Sequence, residues 1–304
     1  MNAAFDAGVC LLLVSAGVVG LVTVDQSPPA TPGRADAVAD ALATTTAQVD
    51  YSLTADRRAL NASGVAVAGE GTFAPDSPEL DRTAHGSLAG LLARAAVAES
   101  GVAPDATDPD ATTEVLPGPL TATRAGFGRG VANAVLARTG ARVRVDATWR
   151  PYPGAPVGGH LGVGPEPPAG RVHAATLVVP TGSEPVPRSA RADFERLGAA
   201  VADRTVAVLV PAGPARVTLR GDDPTAALVR HRYVRLARAT NASLAEPLAT
   251  EDTHAANARI ARRLEARMTA DLRRAHDTPD AAAEAVSVDS VRIVVRTWSA
   301  SEGR

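Results

Sequence analysis

A nearly uncharged apolar run, Ala7 to Val24 (AGVCLLLVSAGVVGLVTV), constrains this chain more than any other feature. Its eighteen residues sit close to the roughly 20 that a helix needs to cross a bilayer. Gly and Ser inside the run are tolerated, because a helix satisfies its backbone internally even in lipid. Asp25-Gln26 and the breaker-rich SPPATPG follow at once. The expected order is an anchor over 1–24, a Pro-rich linker over 25–34 and a globular domain over 35–304.

Three other readings of the run fit less well. A cleaved secretory signal has a basic start and a small-x-small site, whereas no Lys or Arg precedes Ala7 and VTVDQS offers no such site. A lipidated Cys follows its apolar run, whereas Cys10 lies inside it behind Val9. A pilin-type leader is matched only loosely by Asp6-Ala7-Gly8, which lacks the basic residue and the early helical Glu.

Orientation rests on weaker signals. The N-terminal flank has no basic residue and Arg34 is the first after the run, so a strict positive-inside reading keeps the domain inside. Long domains translocate largely regardless of charge, however. The single Cys lies in the apolar run, so the rest of the chain has no thiol to protect or pair. Asn61-Ala62-Ser63 and Asn241-Ala242-Ser243 are N-glycosylation sequons. With the Pro-rich spacer, these features favour a single-pass cell-membrane protein whose bulk is extracytoplasmic. The bilayer, met through Ala7–Val24, is then the first partner.

All basic residues except His are Arg; there is no Lys. The net charge is only −2, which argues against a nucleic-acid partner. Aromatic residues make up 3% of the chain, so a core of Val, Leu and Ala is expected.

Helical spacing predicts helices over Arg34–Gln48, Glu79–Glu99 and Leu120–Arg138, the last weakened by Gly126, Gly128 and Gly130 at about 1 kcal/mol each. Val49–Leu53 alternates as a short strand. Residues 61–79 and 101–113 read as loops. The second half is richer in strands. Arg142–Trp149 alternates strictly, with Val143, Val145, Ala147 and Trp149 on one face and Arg142, Arg144, Asp146 and Thr148 on the other. Val172–Pro180, Thr205–Val210, Pro214–Leu219 and Ser287–Trp298 also read as strands. Residues 150–171 read as a long Pro/Gly loop. Helices are expected over Ser189–Asp203, from Asp223-Pro224 to Arg238, and from the Thr250–Asp252 cap to Ala275. The fold class is therefore α/β or α+β: an N-terminal transmembrane helix, a helix-rich first half and a mixed sheet with packed helices. A subdomain boundary is placed near 139–141.

Chemical motifs are sparse. VGGHLGVG (Val157–Gly164) lacks the Lys of a phosphate loop, and Gly126–Gly130 fails the dinucleotide pattern. His85, His160, His173, His231, His254 and His276 are scattered. Glu251, Asp252 and His254 do not converge on one helical face, so neither metal nor cofactor is expected. Ser87 after His85-Gly86 lacks a G-x-S-x-G frame. The sharpest pattern is the helix over 254–275. Ile260, Leu264, Met268 and Leu272 form an apolar stripe opposite Arg259, Arg262, Arg263, Arg267, Arg273 and Arg274, a candidate face for an acidic partner.

FDAGVCLLLVSAG, DALATTTAQVDYSL (Asp40–Leu53), AHGSLAGLLARAAV (Ala84–Val97), WRPYPGAPVGG (Trp149–Gly159) and VRTW (Val295–Trp298) together resemble a group of haloarchaeal membrane-anchored proteins of unknown function. Such proteins tend to be encoded beside type IV pilus-like secretion ATPases and their membrane partners. The resemblance implies a role at the cell envelope, in or near a pilus-like machine, and transfers no catalytic residue. The leading expectation is a non-enzymatic accessory or structural component of such an apparatus. A surface ligand-binding module, using 150–171 or the Arg-rich helix, and an anchored hydrolase are the alternatives.

Overall fold

The computed structural model describes residues 34–53, 80–102, 120–121, 124–221 and 225–299. The chain divides into two compact units, Met1–Gly33 and Arg34–Arg304. The expected anchor, linker and Asn61 lie outside the described residues. Among the described residues, no helix is long and apolar enough to cross a membrane.

The second unit runs α1 (Arg34–Thr44), β1 (Thr46–Ser52), β2 (Asp81–Ser87), α2 (Leu88–Ala98), β3 (Gly101–Val102), α3 (Arg124–Thr139), β4 (Val143–Trp149), β5 (Val157–Val163) and β6 (Val172–Pro180). A 3-10 turn at Arg188–Ala192 leads into α4 (Phe194–Leu209), α5 (Ala212–Leu219), α6 (Thr225–Thr240), α7 (Ala245–Ala249), α8 (Thr253–Ala275), α9 (Pro279–Ala285) and β7 (Ser290–Trp298). β1 and β2 form a two-stranded sheet, and the other strands form a sheet in the order β3-β5-β4-β7-β6. Every described strand pair is antiparallel, so the expected mixed sheet is corrected to an antiparallel one and the class to α+β.

β4 lies at the centre of the larger sheet because its alternation suits a strand covered on one face only. Val143, Val145, Ala147 and Trp149 are buried, and Val295 and Ile293 of β7 stand opposite Val145 and Ala147. Trp149 Nε1 donates to the Val288 carbonyl at 3.0 Å, which satisfies its one polar atom inside the core. α1 and α2 pack on this face, while α3 packs on β1 and on β5. Gly126 and Gly130 allow that approach. A Cβ at Gly130 would stand 2.5 Å from Val49 Cγ1, and one at Gly126 would stand 2.7 Å from the Ser52 carbonyl oxygen. The helix thus keeps residues of poor propensity because its neighbour leaves no room for a side chain.

The longest described helix, α8, packs chiefly on α4. Ile260, Leu264, Met268 and Leu272 are buried, as the sequence stripe requires. Asp252 caps α8 by accepting from the Ala255 N–H at 3.0 Å. One buried cluster, mostly Leu, Val and Ala, extends from Ala35 on α1 to Val295 on β7. Residues 139–141 cover the last residue of α3 and the turn toward β4, with Gly140 in the left-handed region at φ 80°.

Several elements depart from expectation. The first helix stops at Thr44, and β1 begins at Thr46 because its alternating residues pair with β2, Val49 opposite Ala84. The helix expected from Glu79 starts only at Leu88, where the Ser87 Oγ accepts from the Gly90 N–H at 3.1 Å and caps it. The expected 150–171 loop contains β5. Its glycines suit a strand there, because a Cβ on Gly159 would collide with the Ala96 carbonyl at the end of α2. Thr205–Val210, expected as a strand, forms the last turn of α4 with Val210 as its cap, and Pro214–Leu219, also expected as a strand, lies in α5. An apolar run fits a helix buried on several sides as well as it fits a central strand. Here Val201, Thr205, Val206 and Leu209 are buried at helical spacing, and Thr205 Oγ1 donates to the Val201 carbonyl at 2.7 Å. β3, α7 and α9 have no counterpart among the expected elements. Most of the two expected loops at 61–79 and 101–113, together with Asp223-Pro224, lies outside the described residues.

Candidate functional site

α8 projects its arginines over a helix length of about 34 Å, and neighbouring carboxylates divide them. Arg259 bonds Glu246 of α7 at 2.5 Å and also donates to the Ser243 carbonyl. Arg273 bonds Glu195 of α4, which holds the Glu195 carboxyl below its ordinary range, and its guanidinium lies 5.6 Å from the Phe194 ring centre. Arg274 bonds Asp271 on its own helix at 3.1 Å. Arg267 also has an interaction partner. Arg262 and Arg263 are exposed, with Arg262 close enough to Asp203 to favour its charged form. The six residues therefore share a helix surface without converging on one point. Exposed pairs of this kind contribute little to stability, because water and salt screen them.

A groove of about 510 Å³ opens between the turn at 181–184, the second half of α4, the start of α5 and the first turns of α8. Glu184, Asp203, Arg204 and His254 are its ionisable lining residues. Arg204 bonds Glu184 at 2.8 Å. Burial raises the pKa of Asp203, with Arg204 and Arg262 opposing the shift. Asn257 at the wall is occupied on both sides. It accepts from the Tyr233 hydroxyl at 2.9 Å and donates to the Val210 carbonyl at 2.7 Å. Thr253 Oγ1 donates to the Ala212 carbonyl at 2.8 Å. Much of the groove polarity therefore fastens α8 to the junction of α4 and α5.

The most convergent cluster lies on the open face of the larger sheet. Asp146 receives Arg144 Nε at 2.9 Å, His160 Nε2 at 3.1 Å and Arg296 at 2.6 Å. Arg144 also reaches Glu166 at 3.0 Å and the Gly164 carbonyl at 2.7 Å. A Cβ on Gly162, opposite Asp146, would strike the Arg144 guanidinium, so glycine clears the strand surface for it. The Asp146 side chain is 14% exposed. Sequence alternation places Arg144 and Asp146 on this face, but nothing local points to Arg296, 150 residues away.

Other marked residues have structural roles. Ser87 caps α2. Val157–Val163, within the glycine-rich VGGHLGVG, forms β5. Exposed Asn241 sits just past α6 at φ 51°, where Ala242 N bonds the Ala237 carbonyl at 2.9 Å and Asn241 N bonds Arg238 at 3.4 Å. That is a Schellman ending, in which Asn tolerates the left-handed conformation. Glu251, at φ 55°, ends α7 in the same way. His231 on α6 is buried, and burial, followed by Arg235 and Arg238, lowers its pKa to about 4. On the same helix, burial lowers the pKa of Arg232 to about 10. Tyr152 donates to Asp271 at 3.2 Å, and burial with that carboxylate raises its pKa. No group of three or more metal-ligating side chains converges among the described residues.

No curated protein and no solved structure matches the chain. A family profile matches residues 5–298, from before the apolar run to the end of β7. The chain belongs to that family, DUF7284, a family of unknown function.

Proposed function

We propose that this is a non-enzymatic, membrane-anchored envelope protein. In this reading Ala7–Val24 spans the bilayer and the folded domain stands on the extracytoplasmic side. There it serves as an accessory or structural component of a type IV pilus-like or secretion apparatus. The observation that carries the reading is the extent of the family match. It takes in the apolar run together with the domain, as expected if the two work as one unit. The charged side chains add support, since many hold neighbouring elements together: Arg259 to α7, Arg273 to α4 and Arg296 to β4.

The test is membrane extraction. The full chain stays in the membrane pellet through alkaline carbonate, and a variant lacking residues 1–24 moves to the supernatant while keeping its circular dichroism. A full chain released by carbonate alone contradicts the proposal.

The hydrolase alternative keeps one favouring observation. His254 and Asp203 line the same groove, and burial shifts Asp203 toward its protonated form. Asp203→Asn that folds normally and abolishes a hydrolytic activity of the purified chain would establish that reading over the first.

A further inference from the structure

The two edges of the larger sheet are built differently. At one end stands β3, only two residues long. At the other stands β6, with nine residues and, among the described strands, β7 as its one neighbour. Proteins protect long edges with charges, bulges or prolines, because unpaired N–H and C=O groups accept another strand. β6 (VHAATLVVP) has no Lys, Arg, Asp or Glu, and its proline is the final residue. Ala174, Thr176 and Val178 are exposed along it, and Val178 retains 60% of its accessible surface.

We infer that β6 pairs antiparallel with β6 of a second copy of this chain, joining two five-stranded sheets into one. The inference is independent of the anchoring proposal. A free strand edge selects an extended strand as its partner, and the sequence of β6 suits itself. With Thr176 opposite the partner's Thr176, Ala174 meets the partner's Val178 and Ala175 meets the partner's Leu177. Thr–Thr and aliphatic pairs are favourable cross-strand neighbours, and no like charges face each other. The exposed Val178 of each copy then packs beside the partner's Ala174 across a two-fold axis. In this register Arg296 and the partner's Arg292 are three strand spacings apart, about 14 Å. That exceeds the Debye length of about 8 Å at physiological salt, so their repulsion is weak.

The register gives the test. The full chain is purified in detergent with Cys10→Ser, and single cysteines are introduced on β6. Under mild oxidation Thr176→Cys cross-links to itself, because directly opposed residues bring their Cβ atoms within disulfide reach. Ala174→Cys alone cross-links at least tenfold less, since its partner copy lies four residues, about 13 Å, along the strand. Mixing Ala174→Cys with Val178→Cys restores cross-linking. Thr176→Lys and Thr176→Glu each weaken dimerisation on the order of tenfold, and an equal mixture recovers a heterodimer. Equal cross-linking at all three positions, monomeric Thr176→Cys, or no recovery in the charge mixture would each overturn the inference.

Discussion

The two faces of β4 and β7 are made by the same strands and held by different forces. On one face Val145, Ala147, Trp149, Ile293 and Val295 are shut away from water. On the other, Arg144, His160 and Arg296 surround Asp146. Burial stabilises in proportion to the apolar area removed from water and needs little directional accuracy. The charged face depends on geometry, because exposed ion pairs contribute little unless several groups share well-aligned bonds. The first face therefore supplies most of the stability, and the second fixes which strands lie beside β4.

Trp149→Ala breaks the comparison most strongly. It removes a fully buried indole and its bond to the Val288 carbonyl, so chemical denaturation shows a loss of about 3–5 kcal/mol. A second large effect depends on pH. His231 titrates near 4 in the folded chain against 6.5 as its ordinary value, so the unfolded chain binds its proton first. Stability contributed by the neutral, buried ring is present above pH 6.5 and falls as pH drops toward 4, by about 3 kcal/mol. His231→Gln flattens that part of the pH profile relative to the parent chain.

Asp146→Ala addresses the charged face. It leaves Arg144 and Arg296 without their shared carboxylate and costs about 2 kcal/mol. A double-mutant cycle with Arg296→Ala sharpens the comparison, since the account expects a coupling above about 0.5 kcal/mol across 150 residues of sequence. The smallest effect belongs to α8. Arg259→Ala breaks an exposed pair with Glu246 and changes stability by less than about 1 kcal/mol.

Where one side of an element is wet and the other dry, its sequence reveals it. The alternation of β4, the stripe of α8 and its Asp252 cap are readable directly from residue spacing. Where a run carries no polar residue to mark its wet side, periodicity fails. Val206–Leu209 is apolar throughout, and only its packing as the end of α4 decides that it is helical. β2 hides for another reason: Ala84 suits a helix locally but pairs with Val49 from a distant segment. The candidate sites follow the same division. The arginines of α8 are evident from spacing, whereas Glu195 and Glu246, which hold two of them, lie on other elements. Asp146 is visible as one member of a solvated face, and its role emerges only when β7 is placed beside β4.

The central functional claim is that the folded domain stands outside the membrane that Ala7–Val24 crosses. Protease shaving of intact cells, with an epitope tag after Arg304, tests it most directly. The account predicts that the tag is lost while a cytoplasmic control survives. A tag protected until lysis would contradict it, placing the domain inside as the charge at Arg34 alone would direct.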